Sequence, residues 1–256
     1  MARLTVVADK AAMSEAAAER ITSALEGAVA ARGVAALSLT GGDTPDVLYR
    51  YLADGQRPWR QRIDWQLLHV FWGDEREVPP DHEQSNYGLA HRLLLQHVNV
   101  PETQIHRMRG ELPASDAGRL YDAVLRARRD QTVGPLFDVM LLGIGSNAHI
   151  ASIFPASPLL VERSERAERA ERLATGVAVP ELSQWRITLT PAALLDSANI
   201  VMIASGASKA EAIAAAIEAP GDVERYPAQL LRDAGDRVEW IIDAAAAARL
   251  RAAPHA

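Results

Sequence analysis

Short runs of apolar residues alternate along the chain with longer segments in which apolar residues recur every three or four positions. The short runs predict strands, and the longer segments predict amphipathic helices. The predicted strands cover residues 4–7, 34–39, 67–72, 137–142, 186–189, 200–204 and 238–242. The predicted helices cover residues 11–31, 45–52, 87–97, 116–129, 209–217 and 244–251.

The order of these elements indicates the fold class. The strands are apolar throughout, which is typical of a parallel sheet buried on both faces. Their alternation with helices predicts an α/β fold, with a doubly wound, mainly parallel, Rossmann-like sheet flanked by helices. No linker rich in Pro, Gly or Ser divides the chain, so a single domain over residues 1–256 is expected. The low-complexity stretch at residues 162–172 predicts only a solvated helical face.

Composition and charge narrow the classes of function. The 256 residues are 48% hydrophobic, which excludes a disordered chain. No apolar run approaches the roughly 20 residues of a membrane span, and no signal-peptide pattern is present. The absence of cysteine excludes disulfides and thiolate chemistry and fits a cytoplasmic location. A net charge of -6 argues against a nucleic-acid partner but leaves a small anionic ligand open.

Ligands of an open parallel sheet bind beyond the carboxyl ends of its strands, so the loops there are the candidates for a site. The first such loop contains Gly41, Gly42, Asp43 and Thr44. A glycine-rich turn before a helix can present free N–H groups to a phosphate, although an ordinary strand–helix turn has the same pattern. Thr44 is predicted to cap the helix and Pro45 to occupy its first position.

The second loop carries three charged residues in succession, Asp74, Glu75 and Arg76, directly after an apolar strand. Charges at the end of a buried strand are costly unless they pair or bind a ligand. A structural ion pair and a ligand-binding role both remain open from the pattern alone.

The third loop, residues 143–149, ends in His149. Its glycines resemble a dinucleotide-binding fingerprint, but Pro155 interrupts the helix that should follow, and no acidic residue stands at the right offset. A neutral imidazole at this place can accept a proton near neutral pH. A lone histidine is usually structural, but the place of His149, after a glycine-rich loop at the end of a strand, makes it the candidate base.

The fourth loop ends in Lys209 at a helix start, where a cation is unfavourable unless an anion binds beside it. An exposed lysine is the simpler alternative. Arg186, just before an apolar strand, is a second candidate phosphate contact. Together the loops predict a sugar-phosphate or polyanion site on one rim of the sheet.

Six blocks in a fixed order give the chain a family resemblance. They are LTGGDTPDVLY, VFWGDEREVP with a following SNY, LLGIGSNAHIASIFP, RITLT, SGASKAEAI, and YPAQLL with VEWIID. In these blocks the chain resembles 6-phosphogluconolactonases, within the wider group that includes glucosamine-6-phosphate deaminases. The run Asp74-Glu75-Arg76 resembles the lactonase version, since deaminases carry Asp-Glu-Tyr. The stretch after His149 also lacks the glutamate expected in deaminases.

The resemblance implies hydrolysis of 6-phospho-D-glucono-1,5-lactone to 6-phosphogluconate, without metal or cofactor. It implies that His149 is the general base on water and that Arg76 contacts substrate or stabilises developing negative charge. The catalytic set it suggests is His149, Arg76, Asp74 and Asn147. The phosphate-binding set it suggests is Gly41, Gly42, Asp43, Thr44, Arg186 and Lys209. We expect no nucleic-acid or membrane partner, and a monomer or weak homo-oligomer.

Three residues depart from the family pattern. Asn147 and Ala148 stand before His149 where the family usually has Asp-Gly, and Ala156 stands where it has a glycine. Asn147 can hydrogen-bond to the imidazole but supplies no charge, so we expect weakened or otherwise compensated catalysis. Ala148 is expected to strain the turn if a positive φ is required there. A catalytically weak sugar-phosphate sensor and, less favoured, an isomerase or deaminase are the alternatives.

Overall fold

The computed structural model describes residues 2–160 and 172–251. The strands in these residues are β1 (Arg3–Val7), β2 (Ala35–Leu39), β3 (Leu68–Trp72), β4 (Asp74–Arg76), β5 (Phe137–Leu142), β6 (Ala174–Val179), β7 (Gln184–Leu189), β8 (Ser197–Ala204) and β9 (Val238–Asp243). The helices with assigned bounds are α1 (Lys10–Arg32), α2 (Asp46–Ala53), α3 (Pro58–Arg62), α4 (Asn86–Leu93), α5 (Ala114–Gln131), α6 (Pro191–Leu195) and α7 (Ala210–Glu218).

A six-stranded sheet in the order β1-β9-β8-β5-β2-β3 forms the centre, and all its neighbouring strands are parallel. Helices pack on the sheet, which confirms the predicted α/β class with a mainly parallel sheet. Because all six strands run the same way, the loops that follow them meet along one edge. That edge is where the sequence placed the candidate site.

The central strand β5 shows why the strands read as unbroken apolar runs. Every residue of β5 is buried. Val139 and Leu141 pack into the hydrophobic cluster that includes α1, whereas Met140 and Leu142 pack into the cluster on the opposite face. Each fully buried side chain of this size contributes about 1.5–3 kcal/mol relative to exposure. Two apolar faces on one strand therefore require helices on both sides of the sheet.

A second, three-stranded antiparallel sheet has the order β4-β7-β6 and was not predicted. It adjoins the main sheet at Gly73, which links β3 to β4 and accepts a hydrogen bond from Leu189 at the end of β7. The sequence placed the strand at 186–189 in the mainly parallel sheet, and it missed β6 altogether. The β6 sequence ATGVAV gives a weak strand signal because alanine and glycine are depleted in strands.

Three local predictions were wrong. The segment 244–251 forms turns instead of a helix. The Asp243 carboxylate accepts the backbone N–H of Ala246, as in a helix cap, but the bonds from Ala248 to Ala245 and from Leu250 to Ala247 span three residues and do not continue as an α-helical ladder. The helix predicted at 87–97 ends at Leu93, where Leu94 leaves helical geometry, and a 3₁₀ turn follows. Thr44 does not cap α2: the capping position is Pro45, and no side chain accepts a hydrogen bond there.

The prediction for residues 162–172 lies outside the described residues except for Arg172. No helix in the described parts of the chain is long and apolar enough to cross a membrane.

Candidate functional site

A cavity of about 440 Å³ opens at the carboxyl edge of the main sheet. It is lined by the loops after β1, β2, β3, β5 and β8. Eight of the ten residues predicted for the site line it: Gly41, Gly42, Asp43, Thr44, Asp74, Arg76, His149 and Lys209. Asn147 and Arg186 do not line it: Asn147 contacts His149, and Arg186 lies opposite Arg76 on the neighbouring strand. The four loops identified in the sequence thus meet at one cavity.

His149 is half-buried at the cavity wall, and its ring stacks on Phe154 with centroids 4.0 Å apart. Its Nδ1 atom lies 2.7 Å from Oδ1 of Asn147. Burial lowers the pKa of His149 to about 4; the negative charge of Asp74 opposes this shift, and the charge of Lys209 adds to it. The imidazole is therefore neutral at pH 7 and able to accept a proton.

The imidazole ring of His149 leaves no room for a side chain at Gly145. A Cβ atom at this position would fall 2.0 Å from Nδ1 of His149. The backbone N–H of Gly145 also donates to the carbonyl of His149 at 2.9 Å, so the loop closes on itself around the ring. The glycine-rich loop that resembled a dinucleotide fingerprint thus serves to seat His149.

Asp74 is held at the cavity by two side chains. Its Oδ2 accepts a hydrogen bond from the Ser152 hydroxyl at 2.6 Å, and its Oδ1 accepts one from Nδ2 of Asn86 at 3.1 Å. A Cβ atom on Gly41 would fall 1.7 Å from Oδ1 of Asn86. Gly41 therefore gives the Asn86 side chain room to orient Asp74.

Glu75 has a structural role. Its carboxylate accepts hydrogen bonds from the backbone N–H groups of Asn86 and Tyr87 at 2.7 and 2.8 Å and from the Ser85 hydroxyl at 3.0 Å. Anions at a helix N-terminus are stabilising, and these contacts begin α4. Burial raises the pKa of Glu75 against these hydrogen bonds. Of the three charged residues after β3, Glu75 therefore stabilises the start of α4, whereas Asp74 and Arg76 line the cavity.

Three cationic side chains lie at or beside the site. Arg76 and Arg186 pair across β4 and β7. Nε of each is buried and has no hydrogen-bond partner among the described residues. Nη2 of Arg186 donates to Gln184 at 2.7 Å, and Arg76 donates to the carbonyl of Gln84. Lys209 lies in the 3₁₀ turn before α7 and completes the set. This cluster of positive charge suits an anionic ligand.

The residues predicted for the site omit five polar residues of the lining: Lys10, Thr40, Asn86, Ser205 and Ser208. Nζ of Lys10 lies 2.6 Å from the carbonyl of Asp43 and 2.6 Å from Oδ1 of Asp46. Lys10 follows β1, so the same rule that selected the other loops would have found it. Within residues 2–160 and 172–251, no cluster of three or more His, Asp or Glu side chains is placed to hold a metal ion.

Comparison with known proteins gives a consistent assignment. The profile of the family described as glucosamine-6-phosphate isomerases/6-phosphogluconolactonase matches residues 8–240. The 6-phosphogluconolactonase of Mycobacterium tuberculosis is 37% identical over 96% of this chain and 98% of its own length. That of Synechocystis is 34% identical over 97% and 98%.

Solved structures show the same fold. The 6-phosphogluconolactonase from Trypanosoma brucei superimposes with a TM-score of 0.79 and 26% identity, covering 98% of this chain and 99% of its own. A monomeric glucosamine-6-phosphate deaminase gives a TM-score of 0.77 at 21% identity, over 96% of this chain and 99% of its own, and shares the fold. The chain belongs to the glucosamine-6-phosphate isomerase/6-phosphogluconolactonase family.

Proposed function

We propose that this protein hydrolyses 6-phospho-D-glucono-1,5-lactone to 6-phosphogluconate, with His149 as the general base. The observation that carries the proposal is the neutral imidazole of His149 at the wall of a cavity that also presents Arg76 and Lys209. The lactonases among its relatives, matched over almost their whole length, support the choice of substrate.

The chemistry needs one base and well-placed charges. Nε2 of His149 takes a proton from water as the water oxygen attacks C1 of the lactone. The resulting oxyanion lies beside a guanidinium, for which Arg76 is the candidate, since preorganised donors stabilise charge that develops in the transition state. The intermediate then collapses with cleavage of the bond from C1 to the ring oxygen. The imidazolium returns its proton to that oxygen, and the carboxylic acid product ionises.

The phosphate of the substrate needs a separate place on the rim. We assign it to the loop of Gly41, Gly42, Asp43 and Thr44, together with Lys209, which lines the same cavity. Arg186, opposite Arg76 on the neighbouring strand, adds a further positive charge. A phosphate held there would position the lactone ring over His149, and positioning alone can contribute several kcal/mol to a reaction of this kind.

The test is hydrolysis of freshly generated lactone by the wild type and by His149→Ala, measured against the spontaneous rate. Coupling to 6-phosphogluconate dehydrogenase makes the readout continuous. We expect the substitution to lower kcat roughly 10²–10⁴-fold, as loss of a general base does. A His149→Ala enzyme with wild-type kcat would overturn the role of His149.

Asn147, where the family usually has aspartate, favours one alternative: a sensor that binds sugar phosphate without turnover. Calorimetric binding of 6-phosphogluconate by a wild type that does not accelerate hydrolysis would support it. Release of ammonia from glucosamine 6-phosphate would instead indicate a deaminase.

We also propose a cytoplasmic location and a monomer or weak homo-oligomer, the latter tested by sedimentation velocity.

A further inference from the structure

We propose that Glu181 is a positioning residue that fixes the proton-accepting form of His149 through the side-chain amide of Asn147. This inference rests on the proposed function, because it matters for turnover only if His149 is the base. It also accounts for how an asparagine can stand where the family usually has an aspartate.

The three side chains form a continuous chain of contacts. Oε1 of Glu181 lies 3.1 Å from Nδ2 of Asn147. Oδ1 of Asn147 lies 2.7 Å from Nδ1 of His149 and 3.3 Å from the backbone nitrogen of the same residue. Glu181 belongs to the 3₁₀ turn between β6 and β7, so the second sheet carries it to the loop after β5.

The chemistry of the partners determines which way the amide faces. A carboxylate only accepts hydrogen bonds, and a backbone N–H only donates them. Glu181 therefore selects Nδ2 of Asn147 on one side, while the N–H of His149 selects Oδ1 on the other. The two ends of the amide are distinguished by two independent contacts.

The orientation of the amide then sets the histidine tautomer. Because Oδ1 of Asn147 is an acceptor, Nδ1 of His149 must carry the proton, and Nε2 keeps its lone pair for water. With the amide reversed, Nδ2 would face Nδ1, and the proton would move to Nε2. That tautomer cannot act as a base on a water molecule at Nε2.

Glu181 also places a negative charge near the imidazole of His149, separated from it by the side chain of Asn147. Hydrogen bonds in a chain polarise one another, so the carboxylate makes Oδ1 of Asn147 a better acceptor. The imidazolium that forms during catalysis is stabilised by such an acceptor. Glu181 is exposed, so solvent screens its charge and its main effect is on orientation.

The direct test reads the tautomer of His149 by long-range ¹H–¹⁵N NMR in the absence of substrate, with His149→Ala used to assign its signals. We expect Nδ1–H in the wild type and in Glu181→Gln, whose side-chain oxygen still accepts from Asn147. We expect a substantial Nε2–H population in Glu181→Ala, together with a roughly tenfold lower kcat. Glu102→Ala removes an exposed glutamate elsewhere and should change neither.

A second test exchanges the amide of Asn147 and the carboxylate of Glu181 between the two positions. Asn147→Asp alone places two carboxylates in contact and should lower kcat or leave it unimproved. The double variant Asn147→Asp with Glu181→Gln restores a hydrogen bond between the two side chains and supplies charge directly to His149. Its kcat should exceed that of Asn147→Asp alone about tenfold, a non-additive coupling expected only of residues in contact.

Two results would overturn the inference: an unchanged His149 tautomer and kcat in Glu181→Ala, or equal kcat for Asn147→Asp with and without Glu181→Gln. The tautomer measurement needs no turnover. It therefore separates failure of this inference from failure of His149 as the base, which the kcat of His149→Ala reports.

Discussion

Arg76 and Arg186 lie directly opposite each other on neighbouring antiparallel strands. Side chains in this relationship share a face of the sheet, where like charges repel. Burial and the charge of Arg76 lower the pKa of Arg186, yet a guanidinium stays charged in proteins. The two guanidinium groups therefore repel each other, the carboxylates of Asp74 and Glu75 offset part of this repulsion, and an anion bound beside the pair would offset more of it.

Arg186→Met is expected to raise the KM for the lactone roughly 10- to 150-fold, because a charge-assisted contact to the phosphate is worth roughly 1.5–3 kcal/mol. Thermal melts with and without 6-phosphogluconate should show most of the ligand-induced stabilisation lost. The free variant should melt no lower than the wild type, since the repulsion with Arg76 is relieved. Arg109→Met, at an exposed arginine, is the control. An unchanged KM would contradict the assignment.

The pH dependence of kcat/KM should report the lowered pKa of His149. Only the neutral imidazole accepts a proton, so activity is lost as pH falls through the pKa of the free enzyme, about 4. Lys209→Met removes a cation that lowers this pKa, so its acid midpoint should move upward toward 6.5. The profile is measured in buffers of constant ionic strength. A wild-type midpoint near 6.5 would show that His149 is not buried as described.

Gly145→Ala is expected to reduce kcat at least 100-fold, because the new Cβ would fall 2.0 Å from Nδ1 of His149 and displace the ring. Circular dichroism should show a folded protein. Gly221→Ala is the matched control, since nothing lies within 4 Å of a Cβ there. Full activity in Gly145→Ala would mean that the ring position is not critical.

Both alanines that replace family glycines have positive φ: 63° at Ala148 and 57° at Ala156. The left-handed region costs a non-glycine residue roughly 1–2 kcal/mol. Ala156 is exposed, so Ala156→Gly should stabilise the protein by about 0.5–1 kcal/mol after the added entropy of the unfolded chain.

Ala148 provides the comparison, since it is fully buried. Its methyl group packs in the core and contributes about 0.8 kcal/mol, so Ala148→Gly should be nearly neutral. Urea denaturation measures both free energies of unfolding. A loss of stability in Ala156→Gly would rule out strain at that position.

The residues that could be predicted from the sequence have local signals. His149 follows a buried strand and a glycine-rich loop, so its place at the carboxyl edge follows from the rule for parallel sheets. The family glycine at the position of Ala148 likewise raised the question of a positive φ, and the structure has one there. In both cases the information lies within a few residues along the chain.

Glu181 could not be predicted, because its role depends on a contact with Asn147 across a sheet that the sequence did not reveal. The strand β6 before it consists largely of alanine, glycine and valine, without the alternation that marks a half-buried strand. The alanine-rich segment 244–251 shows the reverse error, since its strong helix propensity predicts a helix where the chain forms turns.

The pairing of β4 with β7 also makes the position of Arg186 depend on the register between these two strands. Ile187, next to Arg186, is fully buried in the core and opposes Glu75. If β7 slipped by one residue along β4, Ile187 would turn toward the site and the guanidinium would point into the core. Evolution of this enzyme is thus constrained in the length of β7 as well as in its residues, and insertions within this strand should be rarer than substitutions.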